Sequence, residues 1–198
     1  MNLPEFKIQL PDWVESFLAE TGCFYSQIEE RMGFVIELSR RNIEQKTGGP
    51  FAAAVFDHQG NLIAPGVNMV VSTNCSILHA ELVAIALAQK ILGRYDIGDG
   101  GKHHYDLVTS AEPCAMCLGG IHWSGISRII CGARGEDTQK IGFDEGAKPV
   151  NWISQLESRG ITVISDILRQ KAIEILDEYK AAGGLIYKAG RQEYSPKP

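Results

Sequence analysis

The sequence predicts an α/β sandwich, a central sheet covered by helices. Three observations lead there. Short apolar runs alternate with longer amphipathic stretches, turn residues punctuate them, and no repeat or linker divides the chain. At 198 residues the chain suits one domain, taken as 1–198. A domain of that size buries about 70% of the surface its unfolded chain exposes, enough to fold without staples.

Taken in order, residues 1–22 read as an N-terminal extension with a short helical piece around Asp12–Glu20. A long amphipathic helix follows, in which Ile28, Met32, Val35, Ile36, Ser39 and Ile43 share a face and Gly48-Gly49-Pro50 ends the run. Phe51–Phe56 reads as a buried strand, turned at Asp57–Gly60 into a second strand over Leu62–Val70. His79–Leu92, rich in Ala and Leu, predicts a helix that Gly93 stops. Tyr105–Thr109 predicts a strand, and Pro113 marks the entry to a helix over Cys114–Trp123 that Gly125 breaks. Ser127–Cys131 and Ile161–Ser165 predict further strands, and Leu168–Ala182 the last long helix. Ala133–Pro149 has no clear period and reads as a long functional loop, while 185–198 reads as a C-terminal tail.

Hydrophobic residues make up 44% and charged residues 22%, which sets aside a disordered chain. The net charge of −5 and the lack of a basic run count against a nucleic-acid partner, whose backbone calls for a basic face. No apolar stretch approaches the roughly 18 residues of a membrane span, and Met1–Leu10 lacks the apolar core of a signal peptide. The five cysteines, an odd number with one tight pair, do not form a disulfide framework. Together these features predict a cytoplasmic protein with reduced thiols and no membrane contact.

The chemistry gathers at His79, Cys114 and Cys117. The spacing Cys114-Ala115-Met116-Cys117 places two thiolates one turn apart at a helix start, where the helix dipole favours negative charge. His79-Ala80-Glu81 upstream and Pro113 directly before the first cysteine sharpen the pattern. Three protein ligands leave the fourth position of a zinc ion open for water, as catalytic sites require. Zinc lowers the pKa of such a water to about 7. Glu81, two residues past the histidine, can flank the metal without binding it and carry a proton from water to substrate.

His79-Ala80-Glu81 with Pro113-Cys114-Ala115-Met116-Cys117 resembles the signature of the cytidine deaminase superfamily, whose zinc, glutamate and cysteine arrangement is a general one for base deaminases. The resemblance is greatest to bacterial guanine deaminases. It rests on Gly48-Gly49-Pro50-Phe51-Ala52-Ala53-Ala54-Val55, Gly66-Val67-Asn68, Ser110-Ala111-Glu112-Pro113-Cys114 and Ile141-Gly142-Phe143-Asp144-Glu145-Gly146. It implies a three-layer α/β/α sandwich around a mixed five-stranded sheet, a homodimer, and one zinc per subunit. It further implies that Phe51 stacks on a purine, Asn68 hydrogen-bonds the purine edge, Trp123 forms a pocket wall, and Glu145 is a second acid that handles the amino group. The implied reaction is hydrolytic deamination of a free nucleobase, guanine, to xanthine and ammonia. Tyr187 or Tyr194 in the tail is expected to cover the pocket.

Plainer readings stand beside these. Phe51 suits an apolar core, Asn68 a turn, Trp123 ordinary packing, and Asp144-Glu145-Gly146 an exposed loop. His103-His104 fits a polar loop, and Cys23, Cys75 and Cys131 fit unpaired residues without a metal role. Alternative functions are deamination of cytosine, cytidine, adenine or ammeline, deamination of adenosine in tRNA, and an inactive zinc-binding interaction module. The acidic balance disfavours the tRNA enzyme, and an intact Glu81 disfavours the inactive module.

Overall fold

The computed structural model describes residues 1 and 3–187, so Tyr194 and most of the tail lie outside the described residues. Helix α1 (Trp13–Thr21) and helix α2 (Ile28–Glu44) lead into strands β1 (Ala52–Asp57) and β2 (Leu62–Val67). The short α3 (Val70–Thr73), α4 (Ala80–Leu92), β3 (Tyr105–Ala111), α5 (Ala115–Ser124) and β4 (Arg128–Ala133) follow. The chain continues through α6 (Gly135–Ile141), α7 (Trp152–Glu157), β5 (Thr162–Ile164) and α8 (Arg169–Ala181).

The strands form a five-stranded sheet in the order β2-β1-β3-β4-β5. β1 runs antiparallel to both β2 and β3, whereas β3, β4 and β5 are mutually parallel. This is the mixed sheet of a three-layer sandwich. Alternation along β1 sorts its side chains between the two layers. Ala52, Ala54 and Phe56 join Phe34, Val35 and Leu38 of α2 and Ile175 of α8, while Ala53 and Val55 join Ala80, Ala84 and Ile85 of α4. Every residue of β3 is buried, as expected of a strand covered on both faces.

α2 begins in a capping box, with Glu30 accepting from the Gln27 backbone N–H at 3.0 Å. α4 ends where Gly93 enters the left-handed region at φ 69°, as its sequence predicts. The N-terminal segment is more than an appendage. Val14 and Phe17 of α1 are buried in the main core, and each such side chain contributes about 1.5–3 kcal/mol.

Two expectations are corrected here. Ala133–Pro149 is not a featureless loop, because Gly135–Ile141 forms α6, with Asp137 accepting from the Arg134 backbone N–H at 2.8 Å. Its hydrophilic composition hides any apolar period, and Arg169 of α8 fixes it from outside by ion pairs to Glu136 and Asp137. β2 also stops at Val67 rather than at residue 70, since the chain turns into α3.

Two glycines set the site's position. A Cβ at Gly66 would stand 2.3 Å from the Ala80 carbonyl oxygen, so only glycine lets β2 lie against the first turn of α4. A Cβ at Gly48 would overlap the Asn68 carbonyl oxygen at 1.7 Å. These close approaches bring the start of α4 and the end of β2 to one place.

Candidate active site

His79 is the N-cap of α4 and Cys114 the N-cap of α5, so two helix N-termini converge on one point. Both offer partial positive charge to thiolates and to any anion formed there. His79 Nδ1 lies 3.5 Å from Cys114 Sγ and 3.6 Å from Cys117 Sγ. Zinc–sulfur and zinc–nitrogen bonds of about 2.3 and 2.0–2.1 Å at a tetrahedral angle require an N···S edge of about 3.6 Å. The geometry therefore fits zinc, and the donor set of two thiolates and one imidazole fits its borderline-soft character.

The two thiols act as a pair. A hydrogen bond from Cys117, then one from His79, holds the Cys114 thiol down at about 4, against the cost of burial. Its partner Cys117 is pushed far up, first by that same bond and then by burial.

Glu81 sits in the first turn of α4, buried beside the ligands. Burial, reinforced by the Cys114 charge, pushes its carboxyl up to about 7, and His79 opposes the shift. A group poised near neutrality can both accept and return a proton. Glu81, His79 and Cys114 line one cavity together with Phe51, Asn68 and Glu145.

Asn68 is held by its backbone, its N–H donating to the Phe51 carbonyl at 3.0 Å and its own carbonyl accepting from Asn42 Nδ2 at 3.0 Å. Its side-chain Nδ2 donates to the Tyr187 hydroxyl at 2.8 Å, whereas Oδ1 is buried without a partner. Phe51 meets Phe143 edge to face, with ring centroids 4.8 Å apart, so the aromatic wall has a second member.

Glu145 reaches the cavity because the Ala115 N–H, at the start of α5, donates to its backbone carbonyl at 3.0 Å. Oε1 is in hydrogen-bond contact with the Thr138 hydroxyl at 2.6 Å, and Oε2 is buried without a partner. Burial raises this carboxyl too, against the pull of Thr138 and Lys148. Glu145 is thus no exposed turn residue, while neighbouring Asp144 is exposed.

Trp123 stands apart from the cavity within this chain: it is 80% exposed and does not line it. At 100° per residue, six positions after Cys117 turn a side chain well away from the metal side of α5. It borders a surface groove with Leu118, Pro149 and Trp152 instead.

Sequence reasoning placed a tail tyrosine over the pocket, and Tyr187 lines it. It missed Phe143, Thr138 and Glu112. Phe143 lies within Ile141–Gly146, where the acids carry the evident chemical signal, and Glu112 precedes the Pro113-Cys114 pair. Glu112 pairs with Lys148 at 2.8 Å. Among the described residues, no second cluster of potential metal ligands accompanies His79, Cys114 and Cys117, and no helix is long and apolar enough to cross a membrane.

Comparison with known proteins agrees with this arrangement. The family described as the cytidine and deoxycytidylate deaminase zinc-binding region matches residues 25–133. Guanine deaminase of Bacillus subtilis (strain 168) is 37% identical over 110 residues, which is 56% of this chain and 67% of that protein. A structure of guanine deaminase from Nitrosomonas europaea superposes with a TM-score of 0.83 at 46% identity, covering 89% of this chain and 97% of the other. The structure of NE0047 in complex with 2,6-diaminopurine superposes with a TM-score of 0.84 at 47% identity, covering 92% of this chain and 96% of the other.

Proposed function

The chain belongs to the cytidine and deoxycytidylate deaminase family, and on that premise we propose that it hydrolyses guanine to xanthine and ammonia. The observation that carries the choice of base is the pair of buried acceptors without partners, Glu145 Oε2 and Asn68 Oδ1, which face one cavity with the metal ligands and together call for an amino group and a ring N–H. A buried acceptor is costly unless the ligand supplies a donor, and the 2-amino group of guanine is one. Asn68 Oδ1, equally unpartnered, suits a ring N–H of the same base.

His79, Cys114 and Cys117 would hold one zinc per subunit. When bound, zinc supplies the Lewis acid that activates water at neutral pH. Glu81 takes the water proton as the new bond to C2 forms, and passes it to N3. Phe51 and Phe143 hold the purine plane, and Asn68 fixes its rotation. Glu145 receives the amino group and protonates it as ammonia leaves. Burial of both carboxyls keeps bulk water from competing for their protons.

The chain acts as a homodimer on a small nucleobase, without a nucleic-acid partner. Exposed Trp123, beside the apolar groove with Leu118 and Trp152, supports the dimer, and the net charge of −5 supports the absence of nucleic acid. The five unpaired cysteines fit a cytoplasmic setting. Reaction in oxygen-18 water tests the chemistry. One heavy oxygen is expected in xanthine for each ammonia released, and xanthine without the label would exclude hydrolysis.

A further inference from the structure

Thr138, fully buried on α6, holds two oxygens at hydrogen-bond distance. Its Oγ1 lies 2.7 Å from the Gly135 carbonyl oxygen and 2.6 Å from Glu145 Oε1. A hydroxyl has one proton, and a carbonyl can only accept. If Glu145 were ionised, one proton would have to serve both contacts, and one close oxygen pair would have no hydrogen between its members. A neutral Glu145 resolves the conflict. Thr138 then donates to Gly135, and the Oε1–H of Glu145 donates to Thr138.

We infer that Thr138 is a positioning residue that keeps Glu145 as the neutral acid, its proton parked on Oε1 and Oε2 left as a bare acceptor for the substrate. The inference rests on Glu145 being the second acid of the reaction proposed above. The surroundings agree. Burial is the largest influence on this carboxyl and favours its neutral form; a hydrogen bond donated by Thr138 would oppose it, and that is the bond the Gly135 carbonyl withholds. Lys148 is the opposing cation, and its ammonium is already paired with Glu112 at 2.8 Å.

The arrangement gives Glu145 two successive jobs. In the ground state Oε2 accepts an N–H of the amino group. Once C2 has become tetrahedral, a half-turn about Cγ–Cδ brings the acid proton to the amino nitrogen. The C2–N bond then breaks and ammonia departs. As the C2 carbonyl forms, Glu81 takes the hydroxyl proton, having given its first proton to N3. Glu145 is left ionised, and the Thr138 hydroxyl turns to it and leaves the Gly135 carbonyl without its donor, the cost that returns Glu145 to the neutral form. Glu145 regains a proton from solvent and Glu81 loses one, so the sum is guanine plus water to xanthine plus ammonia.

Infrared difference spectroscopy of the zinc-loaded protein at neutral pH, wild type against Glu145→Gln, tests the protonation without any substrate. A protonated carboxylic-acid band that the variant lacks is expected, and carboxylate bands alone would overturn the inference. Thr138→Val should lower kcat on guanine by at least about tenfold, with KM within about threefold and full zinc content. Thr138→Ser, which keeps the hydroxyl, should retain most of kcat. A valine variant as fast as wild type, or a serine variant as slow as valine, would overturn the role. Should valine fail to fold, the infrared band and the serine variant still decide. Failure of the enzyme on guanine itself would refute the proposed reaction, while the band would still report on Thr138 and Glu145.

Discussion

Asn68 donates its amide Nδ2 to the Tyr187 hydroxyl at 2.8 Å, joining the end of β2 to the start of the C-terminal tail at the wall of the cavity. Burial pushes the Tyr187 phenol well above its ordinary range, so its proton remains available to a bound base. Tyr187→Phe should therefore raise KM for guanine about three- to tenfold with little change in kcat, the loss of one or two neutral hydrogen bonds. Asn68→Ala removes both the tie and the acceptor, and should lower kcat/KM about 10- to 100-fold. Unchanged steady-state constants in either variant would contradict this part of the account.

The metal prediction follows from the donor geometry. Cys114→Ala and Cys117→Ala should each lose zinc and activity together, because two thiolates and an imidazole make the site. Cys23→Ala should lose neither, since Cys23 is exposed and remote from the cluster. Elemental analysis beside the activity assay checks this, and a metal-free protein with full activity would refute it.

The two acids should separate in their effects. Glu81→Gln preserves shape but cannot accept the water proton, so turnover of every substrate should fall about 10²–10⁴-fold while zinc stays bound. Glu145→Gln should lower guanine turnover at least about a hundredfold, because no acid then meets the leaving amino group. Guanine turnover by Glu145→Gln within a few-fold of wild type would remove its assigned role.

Stability has its own test at Asp106. This carboxylate is buried, accepting from Arg31 Nη1 at 2.6 Å and from Arg128 Nε at 2.9 Å. It ties α2, β3 and β4 together, and Arg31 is buried as well. Asp106→Ala would strand the Arg31 charge, at a cost of about 3–5 kcal/mol. Asp166→Asn, at the exposed pair with Arg134, should leave the melting temperature almost unchanged. Thermal denaturation of the two variants side by side checks the contrast, and equal shifts would refute it.

The legible parts of the sequence were those where one residue type has one physical reason to be present. The ligands His79, Cys114 and Cys117, the helix stop at Gly93 and the strand at Phe51–Phe56 are of that kind. α6 was not legible, because Gly135–Ile141 is held by ion pairs to Arg169 and by three buried residues rather than by a continuous apolar face. Trp123 is a different case: the family resemblance implies a pocket wall, whereas within this chain the helical angle from Cys117 turns it outward. Thr138 was invisible for a third reason, since a single threonine in a polar stretch signals nothing until its two oxygen neighbours are seen.

The exposed Trp123 groove gives a prediction for assembly. Sedimentation at micromolar concentration should show a dimer, and Trp123→Glu should shift it toward monomer by placing a charge in an apolar contact. A wild-type monomer would refute the homodimer.

The central claim is best tested by kcat/KM of the purified, zinc-loaded protein on guanine, adenine, cytosine, cytidine and ammeline, followed by ammonia release in one assay. The unpartnered acceptors of Asn68 and Glu145 predict that guanine is preferred over cytosine and cytidine by at least about a hundredfold, the discrimination expected when buried polar groups go unmatched. A preference for cytosine or cytidine would contradict the guanine assignment, and no ammonia from any of the five would contradict the enzyme.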